Sequence, residues 1–461
     1  MPTSPLARRA VATLAAGAVA LTPLAAWAQR AKGPQVIRDT EIEEIIHAEA
    51  DPVFIAAGLD PKQLNLVLVQ DEMNAGTTGV HQMIIGTKLI EATDYPGELI
   101  GVLAHEAGHA AGGHPARVGE MQRAGLGPMI ISAGLGVLAI AAGAPDAGLA
   151  LLTSSPYFGA MASMTYGREQ EARADQAGLT FLEKAGMSGR GAVSFFDKFR
   201  YQEVFSEARR YRFFVDHPIS SERIELMRRR SQGLPHFKTP DDPAMVARHE
   251  IMKAKLKAFT QAPQTTFIQV SEKDASFPAR YARAIAYYRA LETEHALKLT
   301  EALIADYPDN PYLHELKGQT FFESARPKEA EAAYAKAVEL KPDASLLRVL
   351  LAQAILAQDD GKRADAAVPH LRKALALETN NPFAWQLLSQ AYDAKGLGGA
   401  ARLASAEARY AVGDMKEARI FAMRAREALD KNTPEWRRAT DIVLASKPSA
   451  NDLKLIADGS G

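Results

Sequence analysis

The stretch that most constrains this 461-residue chain is Gly101 to His114, read Gly-Val-Leu-Ala-His-Glu-Ala-Gly-His-Ala-Ala-Gly-Gly-His, because it sets His105-Glu106-x-x-His109 inside an apolar helical run. Residues four apart project from one face of an α-helix, so two neutral imidazoles can take two corners of a tetrahedral metal site while Glu106 reaches a metal-bound water. Zinc lowers the pKa of such a water, and a carboxylate can take its proton. This spacing is a zinc-hydrolase signature. The bland alternative, a polar helix face with two incidental histidines, weakens only if a third ligand is found downstream.

Composition narrows the choice of that ligand. There is no cysteine in the chain, so His and carboxylate side chains must hold any metal, and disulfide staples are excluded. With 47% apolar and 24% charged residues, the chain suits a soluble protein of two or three domains. Lys+Arg 54 against Asp+Glu 55 gives no reason to expect nucleic acid as a partner. At the N-terminus, Arg8-Arg9 precede the apolar run Ala10 to Ala20, and Ala26-Trp27-Ala28 is a small-x-small cleavage site before Gln29. Residues 1–28 are therefore expected to be a signal peptide. An uncleaved anchor is disfavoured, because the run is short and Pro23 interrupts it.

Beyond it, Ile42, Ile45, Ile46, Ala50 and Phe54 have helical spacing, and Leu64 to Val69 and Gly79 to Thr87 read as strands around a polar turn at Asn74 to Thr78. Asp94-Tyr95-Pro96-Gly97-Glu98 opens the helix that carries His105, and Gly112-Gly113 closes it. The segment Ala124 to Gly167 holds one charged residue, Asp146, and divides into apolar runs at Pro128 to Ala144 and Ala147 to Ala162. A membrane-entering hairpin is one reading. Glycines together with Pro128, Pro145 and Pro156 make poor continuous spans, which favours interfacial or substrate-covering helices and peripheral membrane contact through residues 126–162.

The strongly helix-forming stretch Arg168 to Gly178 then places Glu171 and Asp175 on one face. One carboxylate can ligate zinc while the other orients a ligand histidine, although a solvated charged face has the same pattern. Further on, Asp216-His217-Pro218 leads through Ser220 and Arg223 into another helix. Residues 232–277 are rich in Pro and polar groups around one helix near Met245 to Phe259, and read as a connection.

From residue 278 to 446 alanine-rich helices recur with a period of about 34, the length of tetratricopeptide repeats. Pro308 and Pro342 lie 34 apart, and from Pro382 the residues Trp385, Leu388, Tyr392 and Gly396 give a clearer copy. Fixed-period punctuation favours a solenoid over a plain bundle, and its concave face would bind extended protein segments. Residues 447–461 are left as a tail.

With these residues in hand, the chain resembles the gluzincin metallopeptidases related to HtpX and the CAAX prenyl endopeptidase, and most closely the BepA-type periplasmic proteases that carry tetratricopeptide repeats. His105-Glu106-x-x-His109, Glu171 with Asp175 four later, Arg168 before them, and His217-Pro218 with Arg223 occur in that family's order. The resemblance implies an α+β zincin-type domain at 29–231, mostly helical with a small sheet, followed by the all-α solenoid. It implies one zinc ion held by His105, His109 and Glu171, with Glu106 as general base. Asp175, Arg168 and Arg223 would support the ligands, and His217 would be an inhibitory fourth ligand or an oxyanion stabiliser. Asn74-Ala75 and the following strand resemble an edge that aligns substrate by β-augmentation. The expected activity is cleavage of misfolded or stalled outer-membrane proteins in the periplasm, with the solenoid contacting the assembly machinery. The rival from another class is a chaperone or assembly scaffold whose metal site is vestigial or plugged.

Overall fold

The computed structural model describes residues 35–79, 81–142, 144–200, 217–358 and 362–457, and their packing separates two compact units between Thr260 and Gln261. The signal peptide expected at residues 1–28 lies outside the described residues.

In the first unit, α1 (Thr40–Ala56) buries Ile42, Ile45 and Ile46 and begins on Asp39, whose carboxylate accepts from the Ile42 N–H at 2.9 Å. Four strands, β1 (Val36–Ile37), β2 (Asn65–Val69), β3 (Ala75–Thr77) and β4 (Gln82–Gly86), form one sheet in the order β1-β2-β4-β3. β2 runs parallel to β4 with Val67 opposite Ile84, and β3 runs antiparallel to β4 with Gly76 opposite Ile84. The strand expected at Gly79 to Thr87 is thus shorter, and α2 (Thr87–Ala92) begins at Thr87. The polar stretch expected to be a turn contains the edge strand itself. Ala-Gly-Thr has almost no β-signal of its own and is extended because β4 offers it a ladder.

α3 (Pro96–Ala111) opens on Pro96 and closes at Gly112, and every residue from Pro96 to Ala110 is buried. A helix buried on all sides is the axis of a unit rather than its wall. Its first turn is fixed by the buried Glu98, which accepts from the Asp94 N–H at 2.7 Å and Ser194 Oγ at 2.8 Å and pairs with Lys198.

α4 (Val118–Ala141) and α5 (Pro145–Lys184) pack as an antiparallel hairpin, with Pro128 and Pro156 inside the helices where the sequence predicts interruptions. Close packing overrides local propensity here. Gly125 lies against Gly159 and Gly136 against Gly148 at backbone distance, and the Ser155 hydroxyl donates at 2.8 Å to Leu152 O, the carbonyl that Pro156 deprives of its helical N–H. α5 then continues unbroken through Arg168 to Gly178.

α6 (Arg190–Lys198), α7 (Ser221–Gln232) and α8 (Pro243–Thr260) complete this unit. α8, which falls in the 232–277 stretch, docks on α1: Lys255 Nζ lies 2.8 Å from Asp39 Oδ2 and 3.0 Å from Glu41 Oε2, and His249 Nδ1 lies 3.0 Å from Glu49 Oε1.

The second unit starts with α9 (Pro263–Gln269) and continues as helix pairs: α10 (Phe277–Arg289) with α11 (Thr293–Asp306), α12 (Pro311–Glu323) with α13 (Pro327–Leu340), and α14 (Ser345–Leu356) with α15 (Ala364–Leu377). Two more follow, α16 (Pro382–Ala394) with α17 (Gly398–Ala411) and α18 (Met415–Ala428) with α19 (Pro434–Ala445), before α20 (Ala450–Ala457). The leading helices of the first three pairs begin at Phe277, Pro311 and Ser345, 34 residues apart. Each pair also packs on the next, which is the stacking of a helical-repeat solenoid. The small/large complementarity is visible at Gly318, where a Cβ would lie 2.6 Å from the buried Tyr334 ring.

Candidate metal centre

His105 and His109 lie one turn apart on α3, and Glu171 and Asp175 one turn apart on α5. Missing side chains bring these two faces together: a Cβ on Gly108 would be 2.6 Å from Ala174 O, and one on Gly178 would be 3.0 Å from the Ala104 carbonyl. At that separation the side chains on either side of the crossing converge. The third contribution is the His217-Pro218 turn ahead of α7, whose N-cap Ser220 accepts from the Arg223 N–H at 3.2 Å.

His105, His109, Glu171 and His217 are all buried, and one ligand atom from each lies within 4.8 Å of the others. His105 Nε2 is 3.0 Å from His109 Nε2 and 3.3 Å from His217 Nδ1. The Glu171 carboxylate is 3.2 Å from His109 Nε2, 3.4 Å from His105 Nε2 and 3.2 Å from His217 Nδ1. On the outer side, His105 Nδ1 lies 2.9 Å from Asp175 Oδ1, and His109 Nδ1 lies 2.9 Å from His114 Nδ1. Outward partners for Nδ1 make the inward Nε2 atoms the lone-pair donors of the neutral rings. Several lone pairs and a carboxylate facing one centre repel one another unless a cation sits among them, and nitrogen and oxygen donors in this number suit zinc.

Arg223 ties the set together. Its Nε and Nη2 each donate to Asp175 at 2.9 Å, its Nη1 lies 3.1 Å from Glu171 Oε2, and Nη1 also donates to Pro218 O at 2.5 Å. One guanidinium thus holds the ligand helix and the His217 turn in fixed relation. Burial alone would push the carboxyl of Glu171 up, but the His105, His109 and His217 rings outweigh it and hold the group well below the usual carboxylate range. Burial pulls His105 down, and the Asp175 and Glu171 carboxylates reverse this and raise it to about 10. Burial dominates at His114, lowering it to about 4, so its ring stays neutral and can accept the His109 Nδ1 proton.

Glu106 is buried beside this cluster, and neither of its oxygens has a hydrogen-bond partner among the described residues. His217 Nε2 lies 3.4 Å from Glu106 Oε1. A buried carboxylate without a donor is costly in a structural role, and suits a group whose donor arrives with the substrate or the metal.

The remaining residues read from the sequence fall in different places. Arg168 is exposed on α5, outside the cluster. Ala75 begins β3, which packs against α3, and Asn74 O accepts from the Gly86 N–H at 2.7 Å. β4, the strand that follows, is paired on both sides, so the free edge belongs to β3. His114 had no role in the sequence reading. The signal for it is the turn: Gly113 has φ 66°, which folds the chain back after α3 and returns His114 to the helix end.

The sequence profile of peptidase family M48 matches residues 37–231. The chain is 27% identical over 334 residues to the beta-barrel assembly-enhancing protease of Yersinia pestis, covering 71% of this chain and 67% of that protein. It is 25% identical over 331 residues to the protein of that name from Escherichia coli (strain K12), covering 70% of this chain and 65% of that one. The match thus spans about two thirds of the length of these relatives. A solved structure of MamA is 24% identical, covering 36% of this chain and 93% of its own, at a TM-score of 0.31.

Proposed function

We propose that this chain, whose residues 37–231 carry a peptidase family M48 domain, is a zinc-dependent endopeptidase of the cell envelope in which His105, His109 and Glu171 hold the metal. The observation that carries the reading is Glu106, buried with no hydrogen-bond partner among the described residues beside a convergent set of His and carboxylate donors. When bound, zinc supplies a Lewis acid that polarises a peptide carbonyl and acidifies water. Glu106 then accepts a proton at a carboxylate oxygen and returns it to the departing amine. Asp175 holds His105 through Nδ1, and His114 holds His109 in the same way, so both rings keep one tautomer. The short edge β3 would align an extended peptide by adding a strand beside α3.

The relatives' name supports clients among β-barrel proteins under assembly, and we propose that misfolded or stalled ones are cleaved here after recruitment by the solenoid. A groove in the repeat unit, lined among others by Arg372, Trp385, Tyr392, Glu407 and Arg438, offers the mixture of rings and charges that suits an exposed segment. Periplasmic location follows on this reading from the leader at residues 1–28. A second reading is favoured by His217, whose Nδ1 stands with the other three donors and would hold the metal as a fourth ligand. In that state the site is plugged and the chain acts as a scaffold until His217 swings away.

Glu106→Gln keeps size and removes the base. Purified with zinc, it should hold one metal per chain and fail to cleave an unfolded substrate. Cleavage at the wild-type rate by the metal-loaded variant would end the mechanism.

A further inference from the structure

The hairpin of α4 and the first half of α5 has no part in the chemistry above. Between Arg123 and Arg168 its sequence holds one charged residue, Asp146, at the turn between the helices. We infer that this hairpin inserts into the hydrocarbon of a lipid bilayer, with its base, and therefore the metal centre, at the membrane surface.

Exposure is the first observation. Ile131 and Leu138 on α4 are 64% and 66% exposed, and Tyr157 and Met164 on α5 are 63% and 62% exposed. With Leu126, Ile130, Leu135, Val137 and Ile140, the exposed apolar positions sweep roughly 220° of the circumference of α4 at about 100° per residue, leaving the side of the seam with α5. A helix lying on a membrane has one apolar and one charged face, and a protein partner covers one side. Apolar surface on all free sides matches a solvent that is itself apolar.

Closure of the polar groups is the second. Thr153 Oγ1 donates to Leu149 O at 2.9 Å, Ser154 Oγ to Ala150 O at 2.7 Å, and Thr165 Oγ1 to Met161 O at 2.9 Å, although Thr153 and Thr165 face outward. Ser155 closes the carbonyl freed by Pro156, and Ser132 Oγ reaches across the hairpin to Leu151 O at 3.2 Å. Water makes such bonds unnecessary at a surface, whereas hydrocarbon makes them obligatory.

The seam is the third. Glycines opposed at backbone distance, Gly125 with Gly159 and Gly136 with Gly148, hold the helices by close approach rather than by burying large apolar side chains. Dimensions are the fourth. The charge-free part of α4, Ala124 to Ala141, is roughly 27 Å long at 1.5 Å per residue, close to a hydrocarbon core of about 30 Å. At the base, Tyr166 donates to Glu120 Oε2 at 2.8 Å beside Arg123 and Arg168, which is a headgroup-level arrangement of ring and charge. Glu171 follows on the same helix about one turn beyond Gly167, so a scissile bond at the site would lie close to the lipid surface.

The absence of cysteine makes the test direct. In the full chain, Ile131→Cys, Leu138→Cys and Tyr157→Cys probe the hairpin, with Arg117→Cys and Glu169→Cys at its base. In isolated membranes, a charged maleimide should label the three hairpin variants at least tenfold more slowly than the two base variants, and mild detergent should equalise them. Equal labelling before detergent overturns insertion. Protection that persists without lipid in a particle of twice the chain mass overturns it in favour of a second copy, and protection that appears only on adding an unfolded client overturns it in favour of substrate covering. As a second measurement, Ile131→Arg with Leu138→Arg alters outward positions, so helical content by circular dichroism should be kept while the chain moves from the carbonate-washed membrane to the soluble fraction. Retention in that membrane pellet overturns the proposal.

Discussion

The two halves of α5 are one continuous helix in two different surroundings. From Pro145 to Gly167 its side chains are mostly outward and apolar, and the hydroxyls of Thr153, Ser154, Ser155 and Thr165 are turned back on its own backbone. From Arg168 to Lys184 it buries Glu171, Asp175, Gly178, Leu179 and Leu182, and the two carboxylates are each held by named partners. The contrast teaches that one half is specified by position and the other by solubility class. A buried side chain in the second half is fixed by the partners it meets. In the first half, any residue apolar enough and able to stay helical serves, except along the glycine seam.

The sharpest way to break that comparison is to show that the site half is not position-specific. The largest effect should come from its counterpart on α3: Glu106→Gln is expected to lower kcat by about 10²- to 10⁴-fold with metal content unchanged, the range of a general base, read by turnover together with metal analysis. Next, Asp175→Ala removes the anion behind His105 and leaves Arg223 without its main partner. Zinc affinity should fall about 10- to 100-fold, measured by competition with a chelator. His114→Ala should cost less, about tenfold in affinity, because it removes a neutral acceptor from His109 rather than a charge. If these two variants bind metal as tightly as the wild type, the outward partners are packing and not support.

Much of the site half was legible in the sequence, because its chemistry is local. His105, Glu106 and His109 need only helical spacing, and Pro96 and Gly112 mark ends that the structure keeps, whereas Glu171 and Asp175 share a face by spacing but were tied to the site only through the family resemblance. The 34-residue repeat was legible for the same reason, since each helix pair recurs with its own punctuation. What the sequence hid depends on residues far apart. Pro128 and Pro156 look like breaks until Gly125, Gly136, Gly148 and Gly159 from facing helices are brought together. β3 looks like a turn until β4 pairs with it, and α8 looks like part of a connection until Lys255 meets Asp39 and Glu41. His114 becomes visible only when Gly113 reverses the chain.

The smallest effect is expected in the hairpin, and its smallness is what separates the two halves. Leu138→Met keeps an outward side chain apolar and unbranched enough for a helix, so unfolding in detergent should shift by less than about 0.5 kcal/mol and cleavage should be unchanged. On the facing helix of the same hairpin the outcome reverses: Gly148→Leu would drive a Cβ to 2.5 Å from Gly136 O and 2.4 Å from the Ile140 side chain, so the helices must part. A Leu138→Met variant that loses as much stability as Gly148→Leu would mean that Leu138 packs against a specific partner. In that case the outward face of α4 is specified by position after all, and the two halves of the hairpin helix pair obey one rule.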